Sequence, residues 1–431
     1  MRHEVGLWEN AAISSPMAAA ISGWKSAFYG DPDWKIGDVR LSGLPAAITG
    51  YVATLTTGEL ELKFDDTPRG KAMDRLFRNL KEKLPLAVQL AAAFGFVAIR
   101  PSLENGTIVF TLAGPGRFFP TRFSIGGSVT AGYFADFSGE YVKIESFDDQ
   151  KGVLTIENRA YRVRGEVLGA EMPLSVVPEW AELSPSITLE GVKGPLFGLL
   201  SMPFANLVDP GSPLPVSLYA GAMESIMEFD RVYSELLYEL HSARRKNIVE
   251  RTAIVPESKR KRFRGLRYQD PTTDTYVLDP AEEHSPFQDY SPSIRTESYL
   301  SGLRAILHII ENQCHLSPGS LALDDRTGAM TATEVISQDR TTYHTCAAIQ
   351  QQGLTPAIVQ LVHAVEALGD VYGLLPEGET EVAVSYGDGV FEDTQKEFAR
   401  RMEMLAAGVI DAEEVRKWYF GAGECAAGTP Q

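Results

Sequence analysis

Cysteine is scarce: Cys314, Cys346 and Cys425 are the only three in 431 residues. So few thiols make no disulfide framework in a chain this long, and a reducing compartment is expected. Long apolar runs are also missing. The longest, 84–99, is interrupted by Pro85, Gln89 and Gly95. It falls short of the about 20 residues a membrane span needs, so no membrane partner is expected. The opening MRHEVGLWENAAISS holds no apolar core of signal-peptide length, which predicts no export. Basic residues are outnumbered, 40 Lys and Arg against 57 Asp and Glu, for a net charge of −17. That balance excludes an ordinary nucleic-acid coat, while leaving room for a local basic patch.

Catalytic signatures are absent too. There is no Gly-x4-Gly-Lys-Ser/Thr phosphate loop, no Gly-x-Ser-x-Gly elbow and no His-Glu-x-x-His pair. The doublets Asp65-Asp66, Asp148-Asp149 and Asp324-Asp325 sit beside turn signals, where Asp serves the backbone. The expectation is a chain with no enzymatic activity, no cofactor and no bound metal. What is present is a globular composition, 44% hydrophobic and 23% charged, which excludes a disordered chain, a collagen-like fibre and a uniform coiled coil.

The pattern along the chain is α+β. Residues 1–30 read as a short helical segment ending at Gly30-Asp31-Pro32, and helix signals then pause until about Gly70. Residues 59–64 alternate like a half-buried strand, and 69–94 are helical with a break at Pro85. Short β-rich runs follow at 96–100, 107–112, 141–147, 152–157 and 161–167, two pairs of them spaced as hairpins. Residues 191–216 read as an irregular connection rich in Pro and Gly.

Then comes the least ordinary feature. Residues 217–246 hold no Pro, and Ile226, Phe229, Tyr233, Leu236 and Leu240 step by three and four, predicting one helix of thirty residues. Strand-like, turn-rich sequence fills 247–292. A second amphipathic helix is predicted at 294–315, carrying Leu300, Leu303, Ile306, Leu307 and Ile310, and Ser317-Pro318-Gly319 ends it. Helix resumes from Thr331 to about Ala367 with a break near Gly353-Leu354-Thr355-Pro356. One strand at 381–386 and further helical segments close the chain. Two long helices flanking a β insert can lie antiparallel with the insert at their far tip.

Charge concentrates at that insert. Arg244, Arg245, Lys246, Arg251, Lys259, Arg260, Lys261, Arg262, Arg264 and Arg267 face only Glu250 and Glu257, a local +8 that leaves −25 for the rest. Such a run neutralises phosphates or docks an acidic partner. Two weaker constellations remain. Cys314-His315 with His344-x-Cys346 offers four soft ligands without zinc-site spacing. Pro32-Asp33 with Glu61-x-Lys63 fits the loose pattern of Mg²⁺-dependent PD-(D/E)xK nucleases, in which two carboxylates hold the metal and the lysine stabilises developing charge. A monomeric nucleic-acid-binding adaptor using only the basic run is a third reading.

Several segments, in one order, resemble bacteriophage portal proteins of the variety found in long-tailed phages of Gram-positive hosts. They are Trp24-x4-Tyr29-Gly30-x3-Trp34; Phe94-Gly95-Phe96-Val97-Ala98-Ile99; Pro195-Leu196-Phe197 through Pro203-Phe204-Ala205-Asn206 and Ser212-Pro213 into a helix bearing Phe229-Asp230; His315-Leu316-Ser317-Pro318-Gly319; Gly328-Ala329-Met330-Thr331-Ala332-Thr333-Glu334-Val335-Ile336-Ser337; and Gly387-Asp388-Gly389-Val390-Phe391-Glu392-Asp393. Thr331-Ala332-Thr333-Glu334 is the most specific. The resemblance implies a portal-protein fold: an α/β wing at 1–216 continued by a helical region at 331–380, stem helices at 217–246 and 293–316, a small β-rich clip at 247–292, a tunnel loop at 317–330, and a C-terminal region at 381–431 with a short helical crown.

It also implies a homo-oligomeric ring, commonly a dodecamer, at one capsid vertex of a virion assembled in the host cytoplasm. Double-stranded DNA would pass through its tunnel. The implied protein partners are the large subunit of the terminase, a head–tail connector or adaptor, and the major capsid and scaffolding proteins. Ser320, Leu321, Leu323, Asp324, Asp325 and Arg326 would line the tunnel loop, and the basic run would lie on the partner-docking clip.

Overall fold

The computed structural model describes residues 11–321 and 340–387, with 402, 404 and 405. Positions 105, 151, 165–166, 193, 244–245, 251–273, 279–286, 291–292 and 379 within those spans are excepted. The chain is mixed helix and sheet, as its pattern predicts.

Helix α1 (Ser15–Phe28) begins where the Ser14 hydroxyl accepts the Met17 N–H, and it buries Met17, Ile21 and Trp24. Helix α2 (Leu44–Thr57) falls in the stretch where sequence signals predict none. Its Thr, Gly and β-branched residues are poor helix formers, and it carries no charge. Burial overrides that: Ile48, Val52, Thr49 and Thr56 pack inward, with α2 lying on α4. Thr49, Thr54 and Thr57 turn their hydroxyls onto carbonyls four residues back at 2.8–2.9 Å.

Strand β1 (Leu60–Phe64) is half-buried as its alternation predicts, with Leu62 inward. Helices α3 (Pro68–Lys81) and α4 (Leu84–Phe94) divide the expected 69–94 stretch just ahead of Pro85, which occupies the first turn of α4. Gly95 turns α4 straight into β2. Its φ is +91°, and a Cβ there would meet the Pro215 carbonyl oxygen at 2.4 Å, so only glycine fits.

Strands β2 (Phe96–Glu104), β3 (Thr107–Ala113), β4 (Phe118–Phe123), β5 (Val129–Ser138), β6 (Tyr141–Gln150), β7 (Val153–Arg164), β8 (Val167–Met172), β9 (Ser186–Glu190) and β10 (Gly198–Ser201) build two sheets. One has the order β10-β2-β3. The other is an antiparallel meander from β4 to β8, with β9 on the free stretch of β7. Both predicted hairpins, β2–β3 and β6–β7, form. The runs at 152–157 and 161–167 are not separate strands: 153–164 is one strand, and Val167 opens the next. Phe118 and Phe134 point to the main core, while Phe119 and Tyr133 pack on the opposite face, following the two-residue period of a strand. Arg100 of β2 reaches Asp136 of β5 through two bonds of 2.9 and 3.1 Å, tying the sheets together.

The first long helix, α5, spans Met223–Ser242, twenty residues rather than the thirty expected over 217–246. The reason is local. Leu218 N–H and the Ser217 hydroxyl both bond the Ala92 carbonyl, and the Tyr219 hydroxyl bonds the Trp24 carbonyl. These contacts hold 217–219 against α4 and α1 in a non-helical turn. At the far end Lys246 already belongs to β11 (Lys246–Glu250). Strands β12 (Asp274–Leu278) and β13 (Phe287–Tyr290) flank β11, parallel and antiparallel respectively, so the insert is a three-stranded sheet among the described residues.

Helix α6 (Thr296–Gln313) returns alongside α5. Arg295 bonds Glu239 near the sheet at 3.0 Å, and Ala220–Ala222 lies against α6 at the other end, so the pair is antiparallel. Ile226, Phe229 and Leu236 share one core with Leu303, Leu307 and Ile310, continuous with the core of the N-terminal part.

Helix α7 (Arg340–Ala348) runs through a π turn at Ile349–Leu354 into α8 (Thr355–Val371). The break expected near 353–356 is thus a widened turn, with Pro356 at the start of α8. A Cβ on Gly353 would meet the Ser201 carbonyl oxygen at 2.5 Å, which is how β10 approaches so closely. Residues 340–371 are long and apolar enough to cross a membrane by length and composition, but Ile358, Leu361 and Val365 are fully buried in the core. Strand β14 (Val382–Tyr386) pairs antiparallel with β1.

Candidate functional site

Several buried polar bonds gather at the end of α6. Glu311 lies in the last turn, where a carboxylate opposes the helix dipole, and is only 1% exposed. Three groups offset both costs. Gly319 N–H donates to Oε2 at 2.9 Å, Leu321 N–H donates to Oε1 at 2.7 Å, and His308 Nδ1 lies 2.9 Å from Oε2. Hydrogen bonds to a charged acceptor are worth about 1.5–3 kcal/mol each.

The backbone at this point is equally specified. Leu316 N–H returns to the Glu311 carbonyl at 2.8 Å and His315 N–H to the Asn312 carbonyl at 3.1 Å, the paired bonds of a Schellman cap. Such a cap needs a left-handed residue, usually glycine, and here it is His315 at φ 56°, the one non-glycine residue with positive φ among those described. Its ring stacks on Phe204 with centroids 5.1 Å apart, and its carbonyl accepts the Thr345 hydroxyl at 2.7 Å.

Beyond the cap, outgoing and returning chain are locked together. Ser317 N–H donates to Thr342 Oγ1 at 2.8 Å, and Thr342 N–H donates to Ser317 Oγ at 3.0 Å. Ser320 Oγ adds a contact to Thr342 Oγ1 at 3.2 Å. Ser317 and Thr342 have no exposed surface. The segment between them therefore leaves and re-enters at a single buried base.

A second polar node joins α5 to the chain after α1. Asp230, 2% exposed, accepts Trp34 Nε1–H at 3.0 Å, Ser42 N–H at 2.8 Å and the Ser42 hydroxyl at 2.6 Å. Ser234, one turn on, accepts Arg40 N–H at 2.7 Å. These bonds fix 34–42 along the first long helix.

Of the residues singled out from sequence, Ser320 and Leu321 sit at the clamp beside α6. Leu323, Asp324, Asp325 and Arg326 lie outside the described residues. So do Arg244, Arg245, Arg251, Lys259, Arg260, Lys261, Arg262, Arg264 and Arg267, while Lys246 opens β11. The C-terminal region beyond Gly387 is likewise outside them, apart from three positions.

Glu61 and Lys63 are exposed on β1 and pair with each other at 2.7 Å. Lys63, first by its hydrogen bond and then by its charge, holds the Glu61 carboxyl below its usual range. Asp33 is exposed in the turn after α1 and bonds neither. Burial pushes the Cys314 thiol up to about 12 and the Cys346 thiol up to about 11. Among the described residues no cluster of three or more His, Cys, Asp or Glu is placed to hold a metal.

Sequence reasoning missed Glu311, Thr342 and Ser42. Glu311 leaves a faint signal: it falls four residues after Leu307, on the apolar face of α6 and in its C-terminal turn, where an acid is doubly out of place.

No family model and no curated protein matches this sequence. Among solved structures, the chain is similar to the neck of a native GTA particle computed with C12 symmetry, with a TM-score of 0.43 and 10% identity over 93% of this chain and 92% of that one. Similarity of this degree does not carry function from one chain to the other.

Proposed function

We propose that this chain is a bacteriophage portal protein: a subunit of a ring at one capsid vertex, the conduit for DNA packaging and ejection, on which the terminase motor and a head–tail connector dock. The observation that carries the reading is the antiparallel pair α5 and α6. It runs from a three-stranded sheet at one end to the Glu311 clamp at the other, in the order wing, stem, clip, stem, loop that the sequence resemblance implies. In this reading β11–β13 belong to the clip, α5 and α6 form the stem, and the clamp is the base of the tunnel loop.

Two further features fit. Tyr238 is 74% exposed on α5 and Ile309 52% exposed on α6, apolar surface that a neighbouring stem in a ring would cover. The strongly acidic remainder of the chain suits a tunnel wall along which DNA slides without binding tightly. The basic run at 244–267 supplies either phosphate contacts or a dock for acidic partner surfaces. The chain itself catalyses nothing, and the motor that hydrolyses ATP is a separate protein.

Particles carrying Glu61→Ala are expected to protect as much DNA from nuclease as wild type, and particles assembled without the chain none. Glu61 is an exposed partner of Lys63, so its loss alters little else. Robust Mg²⁺-dependent plasmid cleavage by the purified protein, abolished by Glu61→Ala, would contradict the proposal and favour the nuclease reading.

A further inference from the structure

We infer that Glu311 is a positioning residue for DNA passage, acting through the backbone of Gly319 and Leu321 to fix where the chain leaves α6. The inference rests on the portal reading. Its physical basis is the number of unfavourable choices gathered within a few residues. A carboxylate is buried at the wrong end of a helix dipole. A histidine occupies a left-handed position that glycine would fill without strain. Two hydroxyls, Ser317 and Thr342, are spent on a reciprocal bond between chain segments twenty-five residues apart.

A helix needing only to stop would use glycine and water. This arrangement does more than stop α6. It fixes the direction of the chain over 317–321 and ties the returning chain at Thr342 to the same base. The segment between them is held at both ends to the helix that, in a portal, runs along the tunnel. Unfavourable backbone and burial choices gathered at one point mark a candidate functional constraint.

The test uses the full chain in assembled particles. Glu311→Gln keeps the size of the side chain, but its amide accepts through one oxygen only and turns an NH₂ toward the remaining donors. Ring mass is expected to be unchanged, amide exchange at Gly319 and Leu321 to quicken about tenfold or more, and nuclease-protected DNA per particle to fall about tenfold. Thr342→Ser, which keeps the hydroxyl, is expected to package normally, and Thr342→Val to fail as Glu311→Gln does.

Faster exchange with undiminished DNA would overturn the inference and leave the portal reading standing. If Glu311→Gln dissolves the ring, the two Thr342 variants decide on the same criterion: equal DNA yields from Ser and Val overturn it. A wild-type chain that makes no ring overturns both, and so separates failure of the reading from failure of the inference.

Discussion

Asp230→Ala is expected to lower the unfolding free energy by about 3–5 kcal/mol, because it orphans three donors in a buried site. The Trp34 indole N–H and the Ser42 N–H and hydroxyl all end on this carboxylate, and 2% exposure leaves little room for water to replace it. The alanine would also release 34–42 from α5, so tryptophan fluorescence from Trp34 should shift toward that of a wetter indole before global unfolding. Asp230→Asn is the control. It keeps one accepting oxygen and should cost roughly half as much. Denaturant unfolding of the three proteins reads the difference, and an alanine variant within about 0.5 kcal/mol of wild type would show that the node is not formed.

The second large effect is on DNA. Deleting residues 322–327 is expected to leave ring assembly intact and to abolish stable packaging. The deletion starts after Leu321 because that residue's N–H belongs to the Glu311 clamp. The removed stretch includes Asp324, Asp325 and Arg326, a mixed charge set that can touch a phosphate backbone without holding it firmly. The core through Ile226, Phe229, Leu303 and Leu307 is built from other residues. Native mass reports the ring and nuclease protection reports the DNA. Unchanged packaging would show that this segment is not at the DNA, and loss of the ring would show that it belongs to the subunit interface.

Much of the fold was legible because periodicity and burial agree. The amphipathic stripe of α6 gave its extent to within two residues at each end, and the alternation of 59–64 gave β1. Where the reading failed, tertiary contacts overruled local sequence. Leu44–Thr57 looks like anything but a helix until it is laid against α4. Residues 217–219 look helical until Ser217, Leu218 and Tyr219 are seen bonded to α4 and α1.

The candidate site was only partly legible. Ser317-Pro318-Gly319 announces a loop, but the residues that organise it, Glu311 and Thr342, sit within helices and look ordinary there. Their roles come from chain reversal, which brings Thr342 onto Ser317 twenty-five residues away and Leu321 back onto Glu311, and which no local pattern encodes.

Whether the chain closes into a ring is read from the solution mass of the purified 47.2 kDa protein without DNA, at low and at high salt. Tyr238 and Leu240 on α5 and Ile309 on α6 are exposed, and under the proposed function subunits should associate through this apolar surface, which salt does not screen. One closed species at a fixed multiple of the monomer mass, seen as a ring with an open centre in negative stain, is the predicted result. A monomer at working concentration in both salts would contradict it.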